Sequence, residues 1–245
     1  MSAPAIPILY EDNHLLVVVK PANLPTQADE SGDPDLLSLL KEDRKLRYNK
    51  PGNVYLGLVH RLDRPVGGVM VFAKTSKAAA RLSEQVRTRQ LHKMYLAVAQ
   101  GQPEALRGRL EHYLLKDQRT RRVAVVAPGT PGAKEALLDY EVLATTSGRE
   151  WSLLRIDLLT GRSHQIRAQL AAIGHPLYAD WKYGAGSDVP GQPVALWAAL
   201  LQLNHPTTKQ RLTFQSPPPP LHPWDWFDPA AAGSWTIDTE QPGQG

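Results

Sequence analysis

The sequence predicts an α+β fold, in which short apolar strands outnumber helices and no regular strand-helix alternation or internal repeat runs along the chain. Two signals carry this. Runs of four to eight β-branched and apolar residues recur between turn-forming stretches, whereas only two windows place apolar residues at a helical period. In chain order the strand signals are LLVVV (residues 15–19), VMVFA (69–73), MYLAVA (94–99), VAVV (123–126), LLDYEVL (137–143) and WSLLRIDL (151–158). The first helix is expected over residues 77–89, capped by Ser76, because Ala79, Leu82 and Val86 fall at i, i+3 and i+7. The second is expected over residues 163–173. Ser163 is its expected N-cap, Ile166, Leu170 and Ile173 share a face, and Gly174 with Pro176 closes it. Glycine and proline mark exposed loops at 127–132 and 184–193. Pro217 to Pro220 form a stiff exit, after which Trp224, Trp226 and Phe227 are expected to pack back on the body. One domain is expected over residues 1–229, followed by a disordered acidic tail at 230–245.

Composition narrows the chemistry. At 245 residues and 42% apolar content the chain can bury a sizeable core. It has no cysteine, which excludes disulfides and thiolate metal sites, and its eight histidines lack paired-ligand spacing, so no metal is expected. With no secretory segment or long apolar run, the cytoplasm is the expected location and a monomer the expected state. Residues 217–245 hold four acids and no lysine or arginine, so the remaining twenty acids face 28 cations and the body carries +8. Those cations gather in residues 41–50, 74–93 and 116–122, where they could follow a phosphate backbone.

Residues 60–75, HRLDRPVGGVMVFAKT, set Asp63 between His60-Arg61 and Arg64, ahead of a Pro65-Val66-Gly67-Gly68 turn and a strand. A carboxylate held on a tight loop beside cations stays ionised and accessible, as a nucleophile or base requires. About a hundred residues later, LTGRSHQIRAQLAAIG (residues 159–174) crowds Arg162, His164, Gln165 and Arg167 into the first turn of the second helix, where anions are favoured. Either window alone would pass for a solvated ion pair or a capped surface helix.

Together they resemble the RluA-like family of pseudouridine synthases, typified by an HRLD loop. The resemblance is carried by six collinear motifs: ILYEDNHLLVVVKPANLP (8–25), HRLD (60–63), KMYLAVAQG (93–101), LTGRSHQIR (159–167), GHPLYADWKYG (174–184) and ALWAALLQLNHPTTKQRLTFQSPPP (195–219). It implies a pseudouridine synthase fold, with a mixed, mainly antiparallel sheet, flanking helices and a central catalytic cleft. It also implies isomerisation of uridines in rRNA or tRNA without cofactor or metal, and RNA rather than DNA or a membrane as the partner. Asp63 matches the family's essential aspartate, Tyr95 its active-site tyrosine, and Arg167 the arginine that pairs with the aspartate. Arg61 would enter the space left by a flipped nucleotide. His60, Arg162 and Gln165 would touch phosphates or brace the catalytic loop, Lys93 would bind phosphate or cap a strand, and Ile166 would wall the uracil pocket.

The chain departs from the family pattern at Pro65-Val66-Gly67-Gly68, where many members have Thr-Ser-Gly, at Gln169 in place of a histidine, and at Asn23 in place of a glycine. Asn23 is expected to take the same left-handed backbone. Many relatives carry an N-terminal RNA-binding S4 module, for which motifs beginning near Ile6 leave no room. Two other functions stay open from the residues themselves, a catalytically silent RNA-binding protein and a carboxylate-dependent nucleoside or glycoside hydrolase. The latter needs a second carboxylate with a raised pKa.

Overall fold

The computed structural model describes residues 6–49, 51–184 and 191–228. The expected tail at 230–245 and most of the expected loop at 184–193 lie outside the described residues. The elements are β1 (Ile8–Glu11), β2 (Leu15–Lys20), α1 (Leu36–Arg47), β3 (Gly57–Leu58), β4 (Gly67–Ala73), α2 (Ser76–Arg87), β5 (His92–Gln100), β6 (Arg107–Lys116), β7 (Val123–Val126), β8 (Lys134–Thr145), β9 (Trp151–Leu158), α3 (Gln165–Ala172), β10 (Leu196–Asn204) and β11 (Arg211–Gln215). The strands form one sheet in the order β1-β2-β4-β10-β5-β9-β8-β6-β7, with β3 also pairing β4 and β11 pairing β10. All pairings are antiparallel except β4 with β10. This is the α+β fold and mainly antiparallel sheet that the sequence predicts.

All six expected strands are present. Residue alternation in β5 shows how they build the core: Tyr95, Ala97 and Ala99 face one cluster with Leu36 and Leu40 of α1 and Ile166 and Leu170 of α3, while Met94, Leu96 and Val98 face the other side. There Phe227 is buried and Trp226 packs on Tyr178, with ring centroids 5.3 Å apart, as expected of the C-terminal aromatic patch. Ala78 and Leu82 of α2 cover β2 and β4, whose residues are thus enclosed on both faces. Each fully buried large apolar side chain, such as Phe72, contributes about 2 kcal/mol.

Both helices begin one to two residues from the expected points. Thr75, not Ser76, caps α2, since its hydroxyl accepts from the Ala78 N–H and extended backbone at Thr75 aims it there. Ser163 does not cap α3; His164 holds that position in a left-handed conformation, φ 52°, and gives no side-chain cap. Helix α1, which includes residues 41–47 of the first cation cluster, is not among the helices the sequence predicts; Asp35 caps it by accepting from the Ser38 N–H. Asn23 takes the expected left-handed backbone, φ 63°. Gln169 is fully buried, its amide donating to the Leu110 and Ala136 carbonyls, so it ties α3 to β6 and β8.

The tight reversal after Asp63 is shorter than the sequence suggests. The Val66 N–H donates to the Asp63 carbonyl, closing the turn, and Gly67 and Gly68 already belong to β4. They are needed for the parallel pairing with β10. A Cβ on Gly67 would lie 2.2 Å from the Trp197 ring, and one on Gly68, at φ 120°, would lie 2.3 Å from the Ala198 carbonyl oxygen. Gly68→Ala is therefore expected to destabilise the fold by about 3 kcal/mol, because backbone cannot move aside as a side chain can. Denaturant unfolding of the variant measures this.

Candidate active site

Asp63 sits on the short loop between β3 and β4, and three separate elements pin that loop. The Lys20 ammonium, fully buried at the end of β2, donates to the carbonyls of Leu24 (2.6 Å), Pro21 (3.0 Å) and Arg64 (3.2 Å). Burial brings its pKa down to about 7, against the pull of the Asp63 charge. The Thr26 hydroxyl donates to the Leu62 carbonyl at 2.8 Å. His60 Nε2 accepts from the Val71 N–H of β4 at 3.1 Å. Burial, and then the nearby Lys93, push the His60 imidazole down to about 3. It is thus neutral, and its Nε2 ties the loop to β4.

The arginine expected to pair with Asp63 is buried to 3% exposure in the first turn of α3. Its guanidinium Nε and Nη2 each donate to Asp180 at 2.7 Å, and Nη1 donates to Asp63 at 3.3 Å. Burial alone would lower Arg167, but the hydrogen bonds and charge of Asp180, and then of Asp63, outweigh it and hold the guanidinium firmly cationic. Asp180 itself is fully buried and receives the backbone N–H groups of Lys182 and Tyr183.

Tyr95, on the face of β5 turned to Asp63, is buried, and burial followed by the Asp63 charge raises its phenol, so it stays protonated. Lys93, two residues earlier, is lowered by burial. Ile166 belongs to the core and to the cleft wall at once. Gln165 is buried with its amide engaged: Oε1 accepts from the Thr160 hydroxyl and the Arg162 N–H, and Nε2 donates to the Leu137 carbonyl. It braces the 159–164 turn against β8. Arg162 is exposed, and its Nε donates to the Glu135 carbonyl. Arg61 is exposed at the mouth.

All nine residues singled out in the sequence line one open cleft of about 920 Å³. Asp63, Tyr95 and Arg167, drawn from a loop, a strand and a helix, meet in it. The sequence did not single out Lys20, Asp180 or Tyr183 as site residues, although each lies in a quoted motif; a buried charge next to a motif was the signal available. The basic clusters behave unequally. Arg44, Arg47 and Lys74 converge on Glu11, at 3.4, 3.0 and 2.8 Å, so these cations of the first two clusters hold structure together. Lys50 lies outside the described residues. Arg121 pairs with Glu30, while Arg122 lies over the Tyr183 ring.

The sequence model of the RNA pseudouridylate synthase family matches residues 14–172. The chain belongs to that family. It is 35% identical over 222 residues to an RNA pseudouridine synthase, YhcT, of Bacillus subtilis, covering 86% of this chain and 68% of that protein. It is 37% identical over 231 residues to ribosomal large subunit pseudouridine synthase D of Nitrosomonas europaea, covering 89% and 64%. The chain thus spans about two thirds of the length of these relatives. The human RNA pseudouridylate synthase domain containing 4 superposes with a TM-score of 0.71 at 25% identity, covering 87% of this chain and 88% of that one. Domain containing 1, also human, gives 0.68 at 26%, covering 90% and 87%. Uridine isomerisation in RNA is the family's reaction. No helix among the described residues is long and apolar enough to cross a membrane.

The depressed His60 gives a signed pH dependence. Its folded value lies below the unfolded value of about 6.5, so the unfolded chain takes up the proton first. The stability contribution is complete above the unfolded value and is lost as pH falls toward the folded one. Wild type is expected to lose denaturant resistance over that window more steeply than His60→Gln, whose amide oxygen can accept from the same N–H.

Proposed function

We propose that this chain isomerises uridines in structured RNA, large-subunit rRNA first among the candidates, with Asp63, Tyr95 and Arg167 as the reacting set. The observation that carries the proposal is the convergence of these three side chains at one cleft, with Arg167 fixed by Asp180 through Nε and Nη2 so that Nη1 is turned to Asp63. The relatives named as ribosomal large subunit synthases support the rRNA choice. In the reaction the bond from C1′ to N1 breaks, the uracil turns in place, a bond from C1′ to C5 forms, and the C5 proton is removed while N1 gains one. An ionised Asp63 beside C1′ serves attack on the sugar, addition to the uracil, or proton abstraction from the ribose. Tyr95 offers a ring to stack on the uracil and a phenol that keeps its proton. A target base must leave its stack to reach the cleft, and Arg61 at the mouth is suited to fill the gap.

The hydrolase alternative is disfavoured by the other carboxylate on the cleft wall, Asp29. Hydrogen bonds from Ser31 lower its pKa, the reverse of what a general acid needs. We further propose monomeric action in the cytoplasm.

Asp63→Asn is expected to abolish pseudouridine formation while leaving RNA affinity within a few fold, since it removes the reactive carboxylate but few phosphate contacts. Turnover on transcribed rRNA fragments, with binding measured in parallel, decides this, and substantial isomerisation by the variant would remove Asp63 from the role. For the RNA path, replacing Arg61, Arg122 and Lys182 together is expected to flatten the dependence of log affinity on log salt by about two units if each meets a phosphate of single-stranded RNA. Replacing Arg47 and Lys74, already engaged by Glu11, is expected to leave that slope unchanged.

A further inference from the structure

His164 lines the cleft, Tyr183 is hydrogen-bonded to it, and the reaction scheme above uses neither. Tyr183 closes the turn nucleated by Asp180, and its hydroxyl lies 2.8 Å from the Val123 backbone nitrogen and 2.6 Å from His164 Nδ1. The other ring nitrogen, His164 Nε2, lies 4.0 Å from Asp63 Oδ2. The two rings meet edge-on with centroids 5.6 Å apart, and the face of Tyr183 carries the Arg167 guanidinium at 5.2 Å. His164 holds this place in a left-handed backbone, φ 52°, which costs a non-glycine residue energy and is retained where surrounding contacts enforce it.

The hydrogen bonds select one tautomer. The Val123 N–H can only donate, so the Tyr183 oxygen accepts it, and the phenolic proton is then free for His164 Nδ1. Nδ1 as acceptor leaves the proton on Nε2, facing the Asp63 carboxylate. The opposite tautomer would turn a lone pair toward the carboxylate and leave the phenolic proton without an acceptor. We propose that the Tyr183–His164 pair is a second brace of Asp63, in which the Tyr183 hydroxyl fixes the imidazole so that its Nε2–H faces Oδ2, the same carboxylate oxygen that accepts from Arg167.

Two donors at one oxygen confine the Asp63 rotamer before RNA arrives. At 4.0 Å the His164 contact is longer than a hydrogen bond, so it acts through its dipole and leaves the carboxylate free to react. His164 is therefore a positioning residue. The charged and titratable groups around the pair are Asp63 on the loop, Arg167 on α3, Asp180 and Lys182 on the turn, Arg122 above the Tyr183 ring, and Lys20 and Tyr95 facing Asp63 from β2 and β5. Burial keeps His164 below its ordinary value and thus neutral in this setting.

The inference rests on the proposed role of Asp63, and the test separates the two. Tyr183→Phe deletes one oxygen and keeps the ring on Arg167; His164→Asn keeps a side chain tolerant of left-handed backbone; His164→Gln keeps an N–H at the reach of Nε2. Single-turnover rates on an rRNA fragment are measured against pH for each, with Asp63→Asn as control. The expected result is a fall of about tenfold in rate for Tyr183→Phe and more for His164→Asn, RNA affinity within twofold, and partial recovery in His164→Gln, as for loss of one preorganised donor. Long-range nitrogen NMR of the wild type should show His164 protonated on Nε2. A proton on Nδ1, or wild-type rates in both Tyr183→Phe and His164→Asn, would overturn the brace. An active Asp63→Asn would instead overturn the assignment of Asp63. A His164 variant that fails to fold leaves Tyr183→Phe and the NMR measurement to decide.

Discussion

The structure around the cleft depends on one buried cation and the two carboxylates that share it. Removing Arg167 from water is costly, and Asp180, equally buried, offsets most of that cost through two parallel hydrogen bonds. Asp180 also accepts backbone N–H groups of its own turn, so the same carboxylate shapes the 180–184 segment and orients the guanidinium. Nη1 is left to donate to Asp63. A partner already neutralised by another acid can aim Asp63 without saturating it, a condition a reactive carboxylate needs.

The loop carrying Asp63 has little regular structure, yet its backbone is held as firmly as a strand. Lys20, Thr26 and the Val71 N–H each make a hydrogen bond to it from a different part of the sheet side, worth about 1 kcal/mol apiece and more for the charged donor. The sheet beneath is buried on both faces at β2 and β4, so these anchors do not drift. The close β4–β10 approach, possible only with Gly67 and Gly68, sets the distance between the Asp63 loop and the strand next to Tyr95.

Charge was the least legible property. The excess of +8 pointed to RNA, but a count of cations does not say which are spent. Arg44, Arg47 and Lys74 share one carboxylate inside the fold, whereas Arg61 and Lys93 line the cleft. Gln165 and His60 stand in the same motifs as Asp63 and Arg167, yet His60 Nε2 accepts from a backbone N–H and the Gln165 amide is engaged by the Thr160 hydroxyl and by backbone groups. Motif membership alone does not separate a residue that touches substrate from one that holds the residue that does.

By itself the sequence determined the six expected strands, both expected helices and, through the family resemblance of six collinear motifs, nine of the residues that line the cleft, because apolar periodicity and short motifs are local patterns written in neighbouring residues. Only the tertiary structure decided the rest. The segment LWAALLQLN has no strand propensity to speak of, and it becomes β10 because β4 and β5 offer it hydrogen bonds on both edges. His164 takes its left-handed backbone, and Tyr183 reaches it, through contacts nineteen residues apart along the chain. Such features are set by pairing and burial between distant segments, which place groups in space at distances that no reading of adjacent residues contains.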